Sequence, residues 1–239
     1  MKITVAQIKP ITGDIATNIA LHQKYIHLAV AQRSEFIVFP ELSLTGYEPN
    51  LADTLATDAN NRRFEVFQHL SDQQKISIGV GVPTKHSEGI SISMLLFQPQ
   101  QARQTYFKKY LHADEEPFFT SMGHAPVLKV GDKNIALAIC YELFVPAHAQ
   151  EAFQNHAQVY LCSVAKPEKG VTKAMERLSN IAQTHQVPVL MANSVGHCDN
   201  FESAGKSSIW NTDGVMVGQL DDTNEGILTF DTETQKLIE

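Results

Sequence analysis

Cysteine is scarce in this chain, with three in 239 residues, at Cys140, Cys162 and Cys198. Their number is odd and their spacing wide, and no Cys-x-x-Cys pair occurs. A disulfide framework, a zinc ribbon and a thioredoxin-type motif are therefore without support. Long apolar runs are absent too; none approaches the roughly 20 residues that a bilayer-crossing helix needs. The opening Met1-Lys2-Ile3-Thr4-Val5-Ala6 enters a strand pattern with no signal-peptide h-region. A reducing cytoplasm and no membrane partner are the resulting expectations. Basic charge is in deficit, 19 Lys and Arg against 26 Asp and Glu for a net charge of −7, which argues against a nucleic-acid partner. Blocks of like charge, low-complexity tracts, linkers and repeats at solenoid spacing are all missing.

What remains is an ordinary globular composition, 43% hydrophobic and 19% charged. A chain of this length buries roughly three quarters of its unfolded surface, so it needs no covalent staples. Strand and helix patterns alternate along it. Ile3–Ile8 reads as a strand, Asn18 as the N-cap of a helix carrying Ile19, Tyr25, Ile26, Ala29 and Val30, and Phe36–Phe39 as a buried strand. That βαβ unit favours parallel pairing. A helix is expected over 58–74 and a strand over 76–82, where Gly79 and Gly81 suggest close approach of another element. Two strands around Pro99-Gln100-Gln101 read as an antiparallel hairpin, followed by a polar loop over 109–123. Further strands are expected at 127–130, 135–140, 159–164, 187–192, 207–210, 215–220 and 226–231, with helices at 147–155 and 171–183. This is more than one open sheet comfortably carries. Two mixed sheets packed face to face, with helices outside and one domain spanning 1–239, accommodate them.

Three polar residues directly follow apolar strands: Glu41, Lys108 and Cys140. Ligands of α/β sheets sit at strand ends. A carboxylate, an ammonium and a thiol meeting there supply a general base, an oxyanion stabiliser and a nucleophile. Each has an ordinary alternative: a loop carboxylate, a solvated lysine beside Lys109, and a core thiol. Other groupings carry less. His112, Asp114 and Glu115 are a local polar cluster, the remaining histidines have no paired ligand spacing, and Gly79-x-Gly81 lacks the rest of a dinucleotide fingerprint. No cofactor or metal is expected. Trp210 reads as core or dimer packing, and Cys162 and Cys198 as structural thiols.

Phe39-Pro40-Glu41-Leu42-Ser43-Leu44-Thr45-Gly46-Tyr47, then Tyr106-Phe107-Lys108-Lys109-Tyr110-Leu111, then Ile139-Cys140-Tyr141-Glu142 resemble the three signatures of the nitrilase (carbon–nitrogen hydrolase) superfamily, in the family's order. Met191–Gly196 and Gly205–Ile209 are similar to further family landmarks. The resemblance covers essentially the whole chain. It implies an α-β-β-α sandwich that dimerises into a four-layer assembly, and a Glu41–Lys108–Cys140 triad. The match to Tyr-x-Lys-x-x-Leu selects Lys108 over Lys109. The backbone N–H of Tyr141 would share the oxyanion hole with Lys108. Aligning Phe118-Phe119 with the family's aromatic pair places a second glutamate at Glu115, with Glu116 its rival. Tyr47, Tyr141, Phe119 and Lys166 are the candidate substrate contacts. Two departures stand out: Glu142 replaces the usual aspartate, and Leu143-Phe144-Val145-Pro146 lacks the arginine found in many members. Lys166 stands where many amidases have an aromatic residue just after a strand, facing either an acidic substrate group or solvent.

The implied activity is hydrolysis of a non-peptide carbon–nitrogen bond, with a small linear amide as the partner. Nitrile or carbamoyl substrates, acyl transfer to an amine, and a non-catalytic regulatory member are the competing readings.

Overall fold

The computed structural model describes residues 1–123 and 127–238. The first half of the chain runs β1 (Lys2–Gln7), α1 (Ile15–Ala31), β2 (Phe36–Val38), α2 (Ala52–Leu55), α3 (Glu65–Gln74), β3 (Ser77–His86), β4 (Gly89–Phe97) and β5 (Gln104–Phe107). The second runs β6 (Val127–Val130), β7 (Lys133–Ile139), α4 (Pro146–Gln154), β8 (Val159–Val164), α5 (Glu168–His185) and β9 (Val189–Asn193). It closes with β10 (Val195–Cys198), β11 (Phe201–Ala204), β12 (Ser208–Trp210), β13 (Met216–Gln219), β14 (Gly226–Asp231) and β15 (Lys236–Ile238).

Among the described residues these form a seven-stranded sheet, β15-β14-β1-β2-β3-β4-β5, a six-stranded sheet, β13-β12-β9-β8-β7-β6, and the β10-β11 ribbon. Each large sheet has a parallel centre, β1-β2-β3 in one and β7-β8-β9 in the other, flanked by antiparallel strands. The sheets are therefore mixed, as expected. Alternation along single strands shows the layering. On β7, Ile135, Leu137 and Ile139 join the core between the sheets, with Val5, Phe36 and Val38 across from them. Ala136 and Ala138 face the other way, toward Val171, Ala174 and Leu178 of α5. On the opposite side, Ile37, Ile78 and Val80 meet Tyr25 and Ile26 of α1 and Phe67 and Leu70 of α3. Strands covered on both faces read as unbroken apolar runs. The arrangement is an α-β-β-α sandwich.

Several boundaries differ from the sequence reading for identifiable reasons. Asp14, not Asn18, caps α1, with its carboxylate accepting from the Thr17 N–H at 3.0 Å. Asn18 is buried one turn in, where its amide holds both backbone groups of Ile11, at 2.8 Å each, and the Leu44 carbonyl at 3.1 Å. The helix expected from residue 58 begins at Glu65, after a single 3-10 turn over Arg62–Phe64 that Asn61 caps. β3 continues through Pro83 to His86. Proline is tolerated there because β2 has already ended, and the Thr57 bridge that follows on that side uses only the Pro83 carbonyl, which accepts from the Thr57 N–H at 3.2 Å. The β4–β5 hairpin forms, and β3–β4 forms a second, longer hairpin.

Candidate active site

Glu41 leaves β2 through Pro40 in a turn that crosses β3. Gly81 permits the crossing: a Cβ there would lie 2.4 Å from the Leu42 nitrogen and 2.7 Å from the Pro40 oxygen. The close approach expected at that glycine is the backbone of the Glu41 turn itself, and the Leu44 N–H donates to the Gly81 carbonyl at 2.9 Å. Lys108 follows β5 directly, its N–H still bound to Ile92 O at 2.9 Å. Cys140 opens a 3-10 turn, Cys140–Phe144, at the end of β7. Its φ of +46° lies in the left-handed region, which costs a non-glycine residue about 1–3 kcal/mol. Ser163 at the end of β8 donates to the Phe39 carbonyl at 2.8 Å and pins the two sheets together beside the site.

These strand ends bring Glu41, Lys108, Cys140 and Glu115 to one place. Lys108 Nζ donates to Glu41 Oε1 at 2.7 Å and to Glu115 Oε1 at 2.6 Å, with all three residues buried. Tyr47 OH donates to Glu115 Oε1 at 3.0 Å, and the His112 N–H to Glu115 Oε2 at 2.8 Å. Glu116, the rival, is exposed. The second oxygen of Glu41, Oε2, is buried and has no hydrogen-bond partner among the described residues. A buried, unpaired carboxylate oxygen is costly. Here it is the one atom of the ion cluster left to receive a proton.

The electrostatics favour a resting thiol and an avid base. Burial pushes the Cys140 thiol up to about 11; Glu41 adds to the push, while Lys166 and Lys108 oppose it. Burial also raises the Glu41 carboxyl, with Lys108 opposing and Glu115 reinforcing the rise. Burial alone would lower the Lys108 ammonium, but Glu41 and Glu115 outweigh it and hold the group above its ordinary value. Lys108 therefore stays cationic while Glu41 has a raised affinity for a proton.

A cavity of about 720 Å³ opens over this cluster, with Tyr47, Glu115, Cys140, Tyr141 and Lys166 in its wall. Lys166 is buried, not solvated. Phe119 does not line the cavity: it packs in the core between the sheets, and the exposed Phe118 faces the cavity in its place. The two residues follow each other in a tight turn in which both N–H groups bind the Glu115 carbonyl, so only one ring can face inward. Cys162 lies in the outer core against α5, and Cys198 is buried against the inner one.

Glu142 does more than replace an aspartate. Its buried carboxylate accepts from the Ile139 N–H at 2.8 Å, the Lys109 N–H at 2.7 Å and the Tyr106 hydroxyl at 2.6 Å. Tyr106 also meets His148 Nε2 at 3.0 Å, and His148 Nδ1 meets Tyr160 OH at 2.9 Å. One side chain thus ties the residue before the thiol to the residue after Lys108. The sequence signal was its place two residues beyond Cys140, but its partners come from the end of β7, from β5 and from the residue after Lys108. Phe201 of the β10–β11 ribbon is an unforeseen wall residue of the cavity, its ring 5.8 Å from that of Tyr47.

Two mixed sheets thus carry a buried carboxylate–ammonium–carboxylate cluster beneath a partly exposed thiol. The model of the family described as "Carbon-nitrogen hydrolase" matches residues 2–239, and the chain belongs to that family. Among solved structures it is similar to the NitN amidase of Nesterenkonia sp. AN1, with a TM-score of 0.86 and 22% identity over 97% of this chain and 92% of that one. A cysteine-to-alanine variant of that amidase in complex with butyramide superposes with a TM-score of 0.85 at 21% identity, covering 96% of this chain and 89% of the other. Among sequences, it is 23% identical to the glutamine-dependent NAD(+) synthetase of Thermotoga maritima over 98% of this chain but 42% of that protein. The chain thus spans less than half the length of that relative. It is also 23% identical to a hydrolase in the agr operon of Staphylococcus aureus, over 97% of this chain and 90% of that protein. No described helix is long and apolar enough to cross a membrane.

Proposed function

We propose that the protein is an amidase that cleaves small linear amides through an acyl-enzyme on Cys140. The observation that carries this reading is the unpaired Oε2 of Glu41 beside a Lys108 ammonium already anchored by two carboxylates. In acylation, Glu41 accepts the thiol proton as sulfur bonds to the amide carbon. The oxyanion is stabilised by Lys108 and by the Tyr141 N–H, which lies in the first turn of a helix where amides have no intrahelical acceptor. Glu41 then returns its proton to the amide nitrogen, the carbon–nitrogen bond breaks and ammonia leaves. A water attacks the thioester as Glu41 takes its proton, the carbon–sulfur bond breaks, and Glu41 passes that proton to the departing sulfur, giving the acid, the thiol and an ionised Glu41. Glu115 keeps Lys108 charged and placed throughout.

The amidase neighbour bound to butyramide supports an amide over a nitrile. The homodimer implied by the family resemblance belongs to the same proposal. Cys140→Ala should abolish ammonia release from butyramide while the thermal unfolding transition persists. Glu41→Gln should reduce it by at least about a hundredfold, in the range of a general base. Ammonia release undiminished in either variant would remove that residue from the mechanism.

A further inference from the structure

Lys166 sits between β8 and α5, and its backbone is held from both sides. Its N–H donates to Asn193 Oδ1 at 2.9 Å, and its carbonyl accepts from Asn193 Nδ2 at 3.2 Å and from the Ala204 N–H at 2.9 Å. The residue is only 7% exposed, and its side chain lies along Gly170 and passes over the Phe144 ring, with Nζ 4.8 Å from the ring centroid. It forms part of the wall of the catalytic cavity. Among the described residues, Nζ has no ion pair and no hydrogen bond. The acidic residue nearest in sequence, Glu168, is engaged elsewhere, by Lys206 at 2.6 and 2.7 Å. Glu115 is committed to Lys108, and Asp114 to His112.

A buried ammonium without a counter-ion is expensive. An aromatic face offsets only part of that cost. Its backbone is fixed too firmly for the side chain to have reached the cavity by chance of a loose loop. From the geometry we infer that Lys166 is an anion subsite, and that the substrate is a short amide whose acyl chain ends in a carboxylate, that is, the monoamide of a dicarboxylic acid. The inference rests on the amidase reading above and names its substrate class. It also fits the missing arginine after Cys140: the cation comes from a different strand end. The same positive charge opposes the upward push that burial and Glu41 exert on the Cys140 thiol. Cys140 Sγ lies 3.9 Å from the carbonyl oxygen of Ala165, the residue before Lys166, and Cys140 and Lys166 line one cavity, which calls for a short acyl chain.

The test compares near-isosteric pairs, succinamate with butyramide and glutaramate with valeramide, by ammonia release from wild type, Lys166→Met and Lys166→Arg. Wild type should favour the carboxylate member of at least one pair in kcat/KM by about tenfold or more, as one charged hydrogen bond allows. Lys166→Met should lower that preference ratio at least tenfold, chiefly through KM, and Lys166→Arg should restore part of it. On wild type alone, succinate should inhibit at lower concentration than butyrate, a readout independent of whether the variants fold. Wild-type preference for the neutral member of both pairs, or equal losses for both members in Lys166→Met, would overturn the subsite and leave the amidase reading standing. Absence of ammonia release from all four amides would overturn both.

Discussion

At the scale of the residue, the decisive contrast is between the two oxygens of Glu41. Oε1 is fixed by Lys108 at 2.7 Å, while Oε2 has no partner among the described residues. Glu115 shares the same ammonium and raises the proton affinity of Glu41 through like charge, after burial has already done so. The titration belongs to the cluster as a whole. As the proposed base, Glu41 must be ionised to take the thiol proton, so kcat/KM should fall with acid along a limb lying above the ordinary carboxylate value of 4.5. Neutralising Glu115 removes a negative neighbour and so favours ionised Glu41. The residual activity of Glu115→Gln should therefore show its acid limb at lower pH than wild type. A limb that stays in place or moves upward would mean that Glu115 does not influence the base.

At the scale of the element, the site depends on three strand ends being held in register, and Glu142 is the strap between two of them. It binds backbone N–H groups on either side of the nucleophile and lysine segments, Ile139 and Lys109. Glu142→Gln keeps the volume but replaces a carboxylate that only accepts by an amide, one end of which is a donor. It should lower kcat by about tenfold or more with a smaller effect on KM, because neither partner lines the cavity. It should also cost about 1–3 kcal/mol in urea unfolding, the range for an unsatisfied buried polar group. Loss of stability with unchanged kcat would make Glu142 a structural residue only. Such an element-level role was hidden in the sequence: Tyr106, Lys109 and Glu142 are 36 and 33 residues apart, and nothing local marks them as partners. Glu41 and Cys140 were legible because each comes just after an unbroken apolar run, whereas Lys108 follows Gln104–Phe107, whose first half is polar, and stood out by its place in Tyr106-x-Lys108-x-x-Leu111. Gly81 was legible as a close approach, but what approached it was not. Phe119 and Phe118 exchanged places because a turn, rather than a strand period, decides which ring faces the cavity. The cap of α1 was misplaced because Asn18 has the chemistry of a cap and is used instead, inside the helix, to bind a loop.

At the scale of the molecule, two sheets with parallel centres press their inner faces together, and helices cover the outer ones. That layering was readable from strand number and apolar continuity. The β10–β11 ribbon was not, because its residues alternate weakly and Gly196 interrupts them at a positive φ of 87°. The consequence of the layering is a division among the thiols. Cys140 opens to the cavity, whereas Cys162 is sealed under α5 and Cys198 in the inner core. The most direct test of the mechanism is rapid-quench mass spectrometry of the protein mixed with butyramide and succinamate, followed by peptide mapping. A mass increase matching the acyl group, confined to the peptide bearing Cys140 and decaying as ammonia and acid accumulate, is the predicted result. Ammonia release with no adduct on Cys140, persisting in Cys140→Ala, would contradict it.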